Sequence, residues 1–350
     1  MKYNRQAGII ISPFILFSLL LFGCGGQTDS EYLKDDSGYA LTGDYIGQPP
    51  PEEKPEIFAP GIVNTGMYTR DLTMTPDGNE IYWSVNVGRF SYAAVLFTER
   101  IGGRWTRPRV APFSADISFR VAEPFISPDG SRMYFVSDAA HSGAEKGNYD
   151  IWVMDRDGRT WCSPCRVGRS ANTEKNEYHP TAARSGNLYF CRAEPESGIH
   201  YIYRSMLVDG HYQPAEKLPE QVNCGRSMFN ATISPDEDFI IVPVFGKEGG
   251  LGGVDYYIVF RSEDDSWSSP VNMGEMINSP GSQEYSASLS PDGRYLFFMS
   301  ARTESGERAE SYRQMLENMK KPDTGNPAKY WVRADFIDEL RERAEEAADE

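Results

Sequence analysis

Cationic charge is scarce in this chain. Its 350 residues carry 35 Lys and Arg against 51 Asp and Glu, a formal net charge of −16. Such a chain repels phosphate backbones, which excludes general nucleic-acid binding. Histidine is scarcer still, with only His141, His179, His200 and His211. The sequence has no His-Glu-x-x-His, no Gly-x-Ser-x-Gly elbow and no phosphate loop, so the common signatures of zinc peptidases, α/β-hydrolases and nucleotide hydrolases are missing. Gly249-Gly250-Leu251-Gly252-Gly253 is glycine-rich but lacks a following Lys-Ser/Thr and reads as a flexible loop. Long apolar runs are absent save one, at the very start.

That run is Ala7 to Phe22, preceded by Lys2 and Arg5 and followed by Gly23-Cys24. A basic start, an apolar core and a small residue before the cut make an export signal. The run is short for a membrane span of about 20 residues. Leu21-Phe22-Gly23-Cys24 resembles a bacterial lipobox, in which cleavage precedes the Cys and that Cys carries lipid. Residues 1–23 are therefore expected to be a lipoprotein signal peptide and Cys24 the lipidated anchor. Gly25 follows rather than Asp, so the expected location is the cell envelope, on the outer membrane facing the periplasm. Residues 24–54 are polar and rich in Gly, Pro and acidic side chains, and read as a flexible tether.

What the sequence has in quantity is turns and aromatics: 32 Gly, 23 Pro, 20 Tyr and 18 Phe. They fall in a repeat. Thr75-Pro76-Asp77-Gly78 recurs as Ser127-Pro128-Asp129-Gly130 and Ser290-Pro291-Asp292-Gly293, with weaker copies at Ala183–Gly186 and Ser234–Glu237, spaced by 52, 56, 51 and 56 residues. Pro presets φ for a β-turn, Asp bonds its own backbone and Gly accepts positive φ. A short apolar strand precedes and follows each turn, so each turn joins two antiparallel strands. A third strand follows: Ala94–Thr98, Asp150–Met154, His200–Arg204, Asp255–Val259 and Lys329–Arg333. A fourth follows a Trp-x-x-Pro, at Trp105, Trp161 and Trp267, and ends near an Asn: Asn172, Asn223, Asn278.

Ile57–Thr65 looks like one of these fourth strands, yet it precedes the first unit, while the fifth unit lacks one. The simplest account is that Ile57–Thr65 completes the last sheet. The expected fold is all-β: a five-bladed β-propeller over residues 55–340, closed by an N-terminal strand. Two pieces stand outside it. An insertion at 303–327 holds a helical stretch, Glu310–Lys320, with Tyr312, Met315 and Met319 on one face. A short C-terminal helix with Phe336, Ile337 and Leu340 on one face is expected to dock by its first turn, leaving 341–350 as an acidic tail.

The Ser-Pro-Asp-Gly turn followed by an aromatic strand resembles the WD40-like (PD40) repeat of TolB-type periplasmic propellers. The resemblance covers roughly residues 57–340. It implies the propeller architecture and an envelope location. It implies little about activity, because the repeat serves binding proteins and peptidase propeller domains alike. The TolB type carries an N-terminal α/β domain and six blades, for which the stretch between Cys24 and Ile57 has no room.

Four cysteines besides Cys24 remain: Cys162, Cys165, Cys191 and Cys224. Cys162-Ser163-Pro164-Cys165 lacks the second ligand pair of a zinc site, so disulfides or buried thiols are expected, in any of three pairings. The repeat itself points to the candidate site. Four residues before each turn stand Asp71, Glu123, His179, Asn230 and Ser286. Core packing demands apolar side chains, so five polar residues at one repeat phase are expected at a mouth of the central channel, as a ring that binds a ligand, water or a hard cation such as calcium. No other cofactor is indicated. One step earlier, Arg70, Tyr178, Phe229 and Tyr285 are expected to form a flanking wall. The sequence assigns no catalytic residue. It supports a lipid-anchored module that binds an envelope protein, peptide or glycan, with a glycan hydrolase or lyase using Asp71, Glu123 and Glu177 as the alternative.

Overall fold

The computed structural model describes residues 41–88, 90–139, 146–280, 283–303, 309–322 and 325–349. The signal peptide and Cys24 lie outside the described residues, as does the tether up to residue 40. Five antiparallel sheets form the body. Blade 1 comprises Tyr68–Met74, Glu80–Val87, Tyr92–Ile101 and the outer Arg109–Val110; blade 2 comprises Val121–Ile126, Arg132–Ala139, Lys146–Asp157 and Cys165–Arg166. Blade 3 comprises Glu177–Ala182, Leu188–Ala193, His200–Ser205 and Glu216–Lys217. In blade 4 the inner strand is split into Ser227–Met228 and Thr232–Ile233, followed by Phe239–Phe245, Val254–Phe260 and Val271–Asn272. Blade 5 comprises Glu284–Leu289, Tyr295–Ser300 and Ala328–Arg333. The first strands of successive blades face one another around the bore.

The turn chemistry is as the sequence implies. In blade 1 the Thr75 hydroxyl donates to Asp77 Oδ1 at 2.6 Å, and the Gly78 amide to Thr75 O at 2.8 Å. Ser127 with Asp129 and Ser290 with Asp292 repeat the first bond at 2.6 Å. The weak copy in blade 4 places Glu237 where the others have Gly, at φ 59°. Its carboxylate is held by the Tyr189 hydroxyl at 2.6 Å and Ser185 at 2.8 Å, which offsets the strain of that left-handed conformation.

Closure rests on one asparagine. Glu56–Ile57 pairs antiparallel with the last strand, Glu56 opposite Trp331 and Ile57 opposite Tyr330. Beyond the pairing, Asn64 takes over. Its Oδ1 accepts from Lys329 N at 2.8 Å and its Nδ2 donates to Lys329 O at 3.0 Å, across 265 residues. Asn172, Asn223 and Asn278 make the same two-way clamp on the backbone of Ile151, Ile202 and Tyr256 in their own blades. In blade 1 Ser114 supplies half of it, accepting from Val95 N at 2.9 Å. Each carboxamide replaces the backbone partner that a longer fourth strand would provide, so very short outer strands suffice.

The structure corrects the sequence reading in two places. Residues 41–48 do not behave as tether. Leu41 O and Gly43 O accept from Trp105 N and Nε1 at 2.9 and 2.7 Å. Tyr45 sets its ring against Tyr295 and Trp331, at 5.3 and 5.2 Å between centroids, and Ile46 is buried. This segment clasps the seam between blades 1 and 5. Its average composition is polar, but three apolar side chains suffice to cover the seam. The C-terminal helix also goes further than its first turn. It runs Phe336–Asp349, buries Ile337, Leu340 and Ala344, and bonds Arg341 to Asp238 at 2.6 Å, so residues 341–344 are packed rather than tail. Within the insertion the helix is Tyr312–Asn318, capped by Ser311, with none of its residues buried. The insertion returns close to blade 1: a Cβ on Gly66, at φ 82°, would stand 2.5 Å from the Lys320 carbonyl carbon.

Asn64→Leu leaves the buried backbone N–H of Lys329 without its partner, worth about 1–3 kcal/mol, while Lys329 O keeps the Phe58 N–H at 2.9 Å. Urea unfolding should show a loss of about 2 kcal/mol. A loss below about 1 kcal/mol would mean that the clamp does not hold the ring.

Candidate functional site

Each inner strand breaks its register at the same point. The pairing shifts between Arg70 and Thr73, Ala122 and Phe125, Tyr178 and Thr181, and Tyr285 and Ser288. The residues at the shift are Asp71, Glu123, His179 and Ser286, with φ of 51°, 58°, 47° and 63°. Blade 4 breaks its inner strand around Asn230 instead. A bulge of this kind spoils the strict alternation of a strand and re-aims a side chain. Four non-glycine residues held left-handed at one repeat phase mark a built feature, because each costs about 1–3 kcal/mol.

The bulges bring all five ring residues together, and all are buried. Asn230 Nδ2 lies 3.0 Å from Glu123 Oε1, 3.1 Å from His179 Nδ1 and 3.3 Å from Ser286 Oγ. The backbone N–H of His179 donates to Glu123 Oε2 at 2.5 Å. Asp71 Oδ1 stands 3.6 Å from His179 Nδ1 and has no hydrogen-bond partner.

Two cations organise this floor. Arg70, only 7% exposed, donates from Nε to Asp71 Oδ2 at 2.7 Å and from Nη2 to Glu123 Oε1. Burial by itself raises the pKa of Asp71, but the Arg70 guanidinium, with His179 behind it, outweighs this and holds the carboxyl well below its usual range. Lys329, on the third strand of blade 5, is fully buried and donates from Nζ to Ser286 O. Burial pulls its pKa down to about 7; Asp71 opposes that shift and Arg70 adds to it.

This arrangement bears on the cation expected from the sequence. Carboxylate and imidazole atoms of Asp71, Glu123 and His179 lie within 4.8 Å of one another, as a metal site requires. The Arg70 guanidinium already bonds both carboxylates, however. With Arg70 in place the donor set does not fit a hard divalent ion, which needs oxygen ligands free to coordinate it.

Above the floor opens a pocket of about 510 Å³. The expected wall residues Arg70, Tyr178, Phe229 and Tyr285 all line it, together with Glu123 and Asn230 from the ring. Asp71, His179 and Ser286 do not line it. An arc of rings follows one side: Tyr149 to Tyr178 at 5.3 Å, Tyr178 to His200 at 5.8 Å and His200 to Phe229 at 5.3 Å. Opposite, Phe90 and Tyr285 flank the Arg70 guanidinium at 5.9 and 5.2 Å. Burial lowers the pKa of His200, so its ring is neutral near pH 7. Burial also lifts the Tyr149 hydroxyl to about 12.

Sequence reasoning missed Arg120, Asn86, Tyr149, Phe90, His200 and Lys329. Asn86, Phe90, Arg120 and Tyr149 carry no repeat signal, and His200 and Lys329 open third strands, where the repeat marks a strand start rather than a site. Lys329 left a further trace, as a cation within the apolar strand Ala328–Arg333. Glu177, the third carboxylate of the alternative reading, is not at the pocket. It accepts from Arg192 Nε at 2.8 Å and the Thr173 hydroxyl at 2.7 Å. Among the described residues, Cys162, Cys165, Cys191 and Cys224 are all free thiols. Cys162 and Cys165 are exposed, against the expectation of disulfides or buried thiols; Cys191 is buried and lines the pocket.

No protein-family model matches the chain. No curated protein matches it either. Among solved structures it is similar to TolB from Acinetobacter baumannii, at 15% identity and TM-score 0.42, over 77% of this chain and 55% of that one. It is similar to the arabinanase Arb43A from Bacillus subtilis, at 13% identity and TM-score 0.48, over 77% and 95%. The NanB sialidase from Streptococcus pneumoniae matches at 13% identity and TM-score 0.39, over 70% and 36%. The chain thus spans about half of TolB and about a third of the sialidase. At these identities the likenesses carry no functional argument.

Lys329 yields a pH signature. Its folded pKa of about 7 lies below the ordinary lysine value near 10.4, so between these limits the unfolded chain binds more protons and stability rises with pH. Below pH 7 the cost of burying the charge is fully present. Lys329→Met should be relatively more stable than the wild type at pH 6 and should lose part of the rise toward pH 9. Parallel stability curves for the two proteins across this window would overturn the assignment.

Proposed function

We propose that the protein is a lipid-anchored binding module of the cell envelope, whose ligand seats in the aromatic pocket at the mouth of the bore. The observation that carries this reading is the pocket itself: a cavity of about 510 Å³ walled by Tyr149, Tyr178, Phe229 and Tyr285 over a rigid polar floor. Concave, mostly apolar sites with a few convergent polar groups are where ligands bind. The volume suits a small molecule or one protruding unit of an envelope protein, peptide or glycan.

The floor favours binding over glycan hydrolysis. A glycosidase needs one carboxyl kept protonated near neutral pH to act as general acid. Asp71 is instead held ionised by Arg70, and Glu123 has both oxygens engaged, one by Arg70 and Asn230, the other by the His179 amide. Neither is free to pass a proton to a leaving group. The lipid anchor rests on Leu21-Phe22-Gly23-Cys24, and attachment to the outer membrane on Gly25 following that Cys.

Two measurements test the reading. Cys24→Ser should move the protein from the membrane pellet to the soluble fraction; retention in the pellet would count against the anchor. Screening the full-length protein in detergent against envelope glycan and peptide arrays should return a ligand whose affinity falls tenfold or more in Phe229→Ala. If that variant binds every such ligand as well as the wild type does, the pocket is not the site.

A further inference from the structure

The pocket shows a marked imbalance between engaged and free polar groups. Its acceptors are largely occupied. Glu123 is bonded at both oxygens. Asp138, behind the wall, accepts from Arg120 N at 2.6 Å and Arg120 Nε at 2.8 Å. Free capacity for donation remains on the wall. Asn86, 6% exposed and on the pocket wall, has neither Nδ2 nor Oδ1 bonded. Arg120 turns its Nε toward Asp138 and lies 4.8 Å over the Tyr149 ring, while its terminal nitrogens make one contact, Nη1 to Phe90 O at 3.4 Å. An unpartnered buried carboxamide costs about 1–3 kcal/mol, so Asn86 is stabilised once a ligand supplies what it lacks.

We infer that the pocket takes a small ligand bearing a single carboxylate, held by the Arg120 terminal nitrogens and the Asn86 carboxamide, with its ring or apolar body along Tyr149, Tyr178, His200 and Phe229. This deepens the binding reading above and rests on it. An acceptor-rich head matches the free donors, and guanidinium-to-carboxylate bonds are among the strongest a protein makes. A phosphate or polyanion fits poorly. Asp138 pairs with Arg120, Asp71 and Glu123 outnumber Arg70, and the chain carries −16 overall, so every ligand charge beyond the first adds repulsion with no further cation to meet it. The ring arc offers flat faces on which a sugar or an aryl group packs.

A sugar acid, an aryl acid and a peptide C-terminus share this chemistry, and three probes separate them: a glucuronic-acid disaccharide, phenylacetate and N-acetyl-phenylalanine. Each is titrated calorimetrically into the full-length protein in detergent, beside its uncharged amide. At least one acid should bind, with its amide tenfold weaker or worse. Asn86→Ala, which removes no existing hydrogen bond, should weaken that acid about tenfold, and Asn86→Asp about a hundredfold through repulsion. Arg120→Gln should weaken it likewise, while Arg120→Lys retains part of the affinity. Circular dichroism on each variant separates lost contacts from lost fold. Amides that bind as tightly as acids, or an Asn86→Asp protein with unchanged affinity for the acid, would overturn the carboxylate assignment. In that case a loss of the same ligand in Phe229→Ala would still keep the pocket as the site. Failure of all three acids to bind also overturns this inference, and the array screen then decides the pocket separately.

Discussion

A short strand pairing and one carboxamide join the two ends of the ring. Asn64 receives the amide of Lys329 and donates to its carbonyl, tying the first blade-like segment to the last sheet across 265 residues. Without that join the array keeps an open edge, and the first strands of the blades have no reason to face a common axis. With it, five equivalent positions must converge. The neighbouring packing acts in the same sense: Phe58 lies against Phe297 and Trp331 at 5.0 and 5.2 Å, and Tyr45 packs over the same tryptophan. Hydrophobic burial holds the seam closed, while the hydrogen bonds of Asn64 set its register.

Convergence creates an electrostatic problem at the centre of the ring. Asp71 and Glu123 are taken out of water within a few ångströms of each other. Unpaired, buried carboxylates would cost several kcal/mol each or take up protons. Arg70 solves this by bridging both, which requires its own guanidinium to leave water. The rings of Phe90 and Tyr285 on either side compensate part of that loss through cation–π contact. The polar ring is therefore an internally balanced network, and the left-handed bulges are the geometric condition for assembling it.

The sequence made the ring of blades legible because its signals are chemical and local. Pro, Asp and Gly at fixed turn positions dictate backbone geometry wherever they occur, and Asn64 shared a pattern with Asn172, Asn223 and Asn278. The phase of the five ring residues was legible for the same reason: repeat register maps onto position around an axis. Their mutual bonding was not. That Arg70 reaches from blade 1 to Glu123 of blade 2, and Asn230 from blade 4 to the same carboxylate, depends on side chains crossing the bore, which periodicity does not encode. Average composition also misled at both ends. Leu41, Tyr45 and Ile46 are few among polar residues, and Ala344 is buried amid glutamates, yet in each case spacing rather than proportion decides what docks.

The division between floor and wall also bears on how the molecule functions. Side chains of the floor bond chiefly to one another, so they are rigid and have little to offer an incoming molecule. Those of the wall, such as Tyr149, Tyr178, Phe229 and Tyr285, present rings to the cavity. A stiff floor under an aromatic wall means that binding need order little of the protein, which keeps the entropic cost of association low. It also accounts for the persistence of the four bulges despite their strain. Each turns one side chain inward to complete the network and leaves its predecessor facing the mouth, so one backbone irregularity, repeated around the axis, builds both the floor and the wall of the pocket.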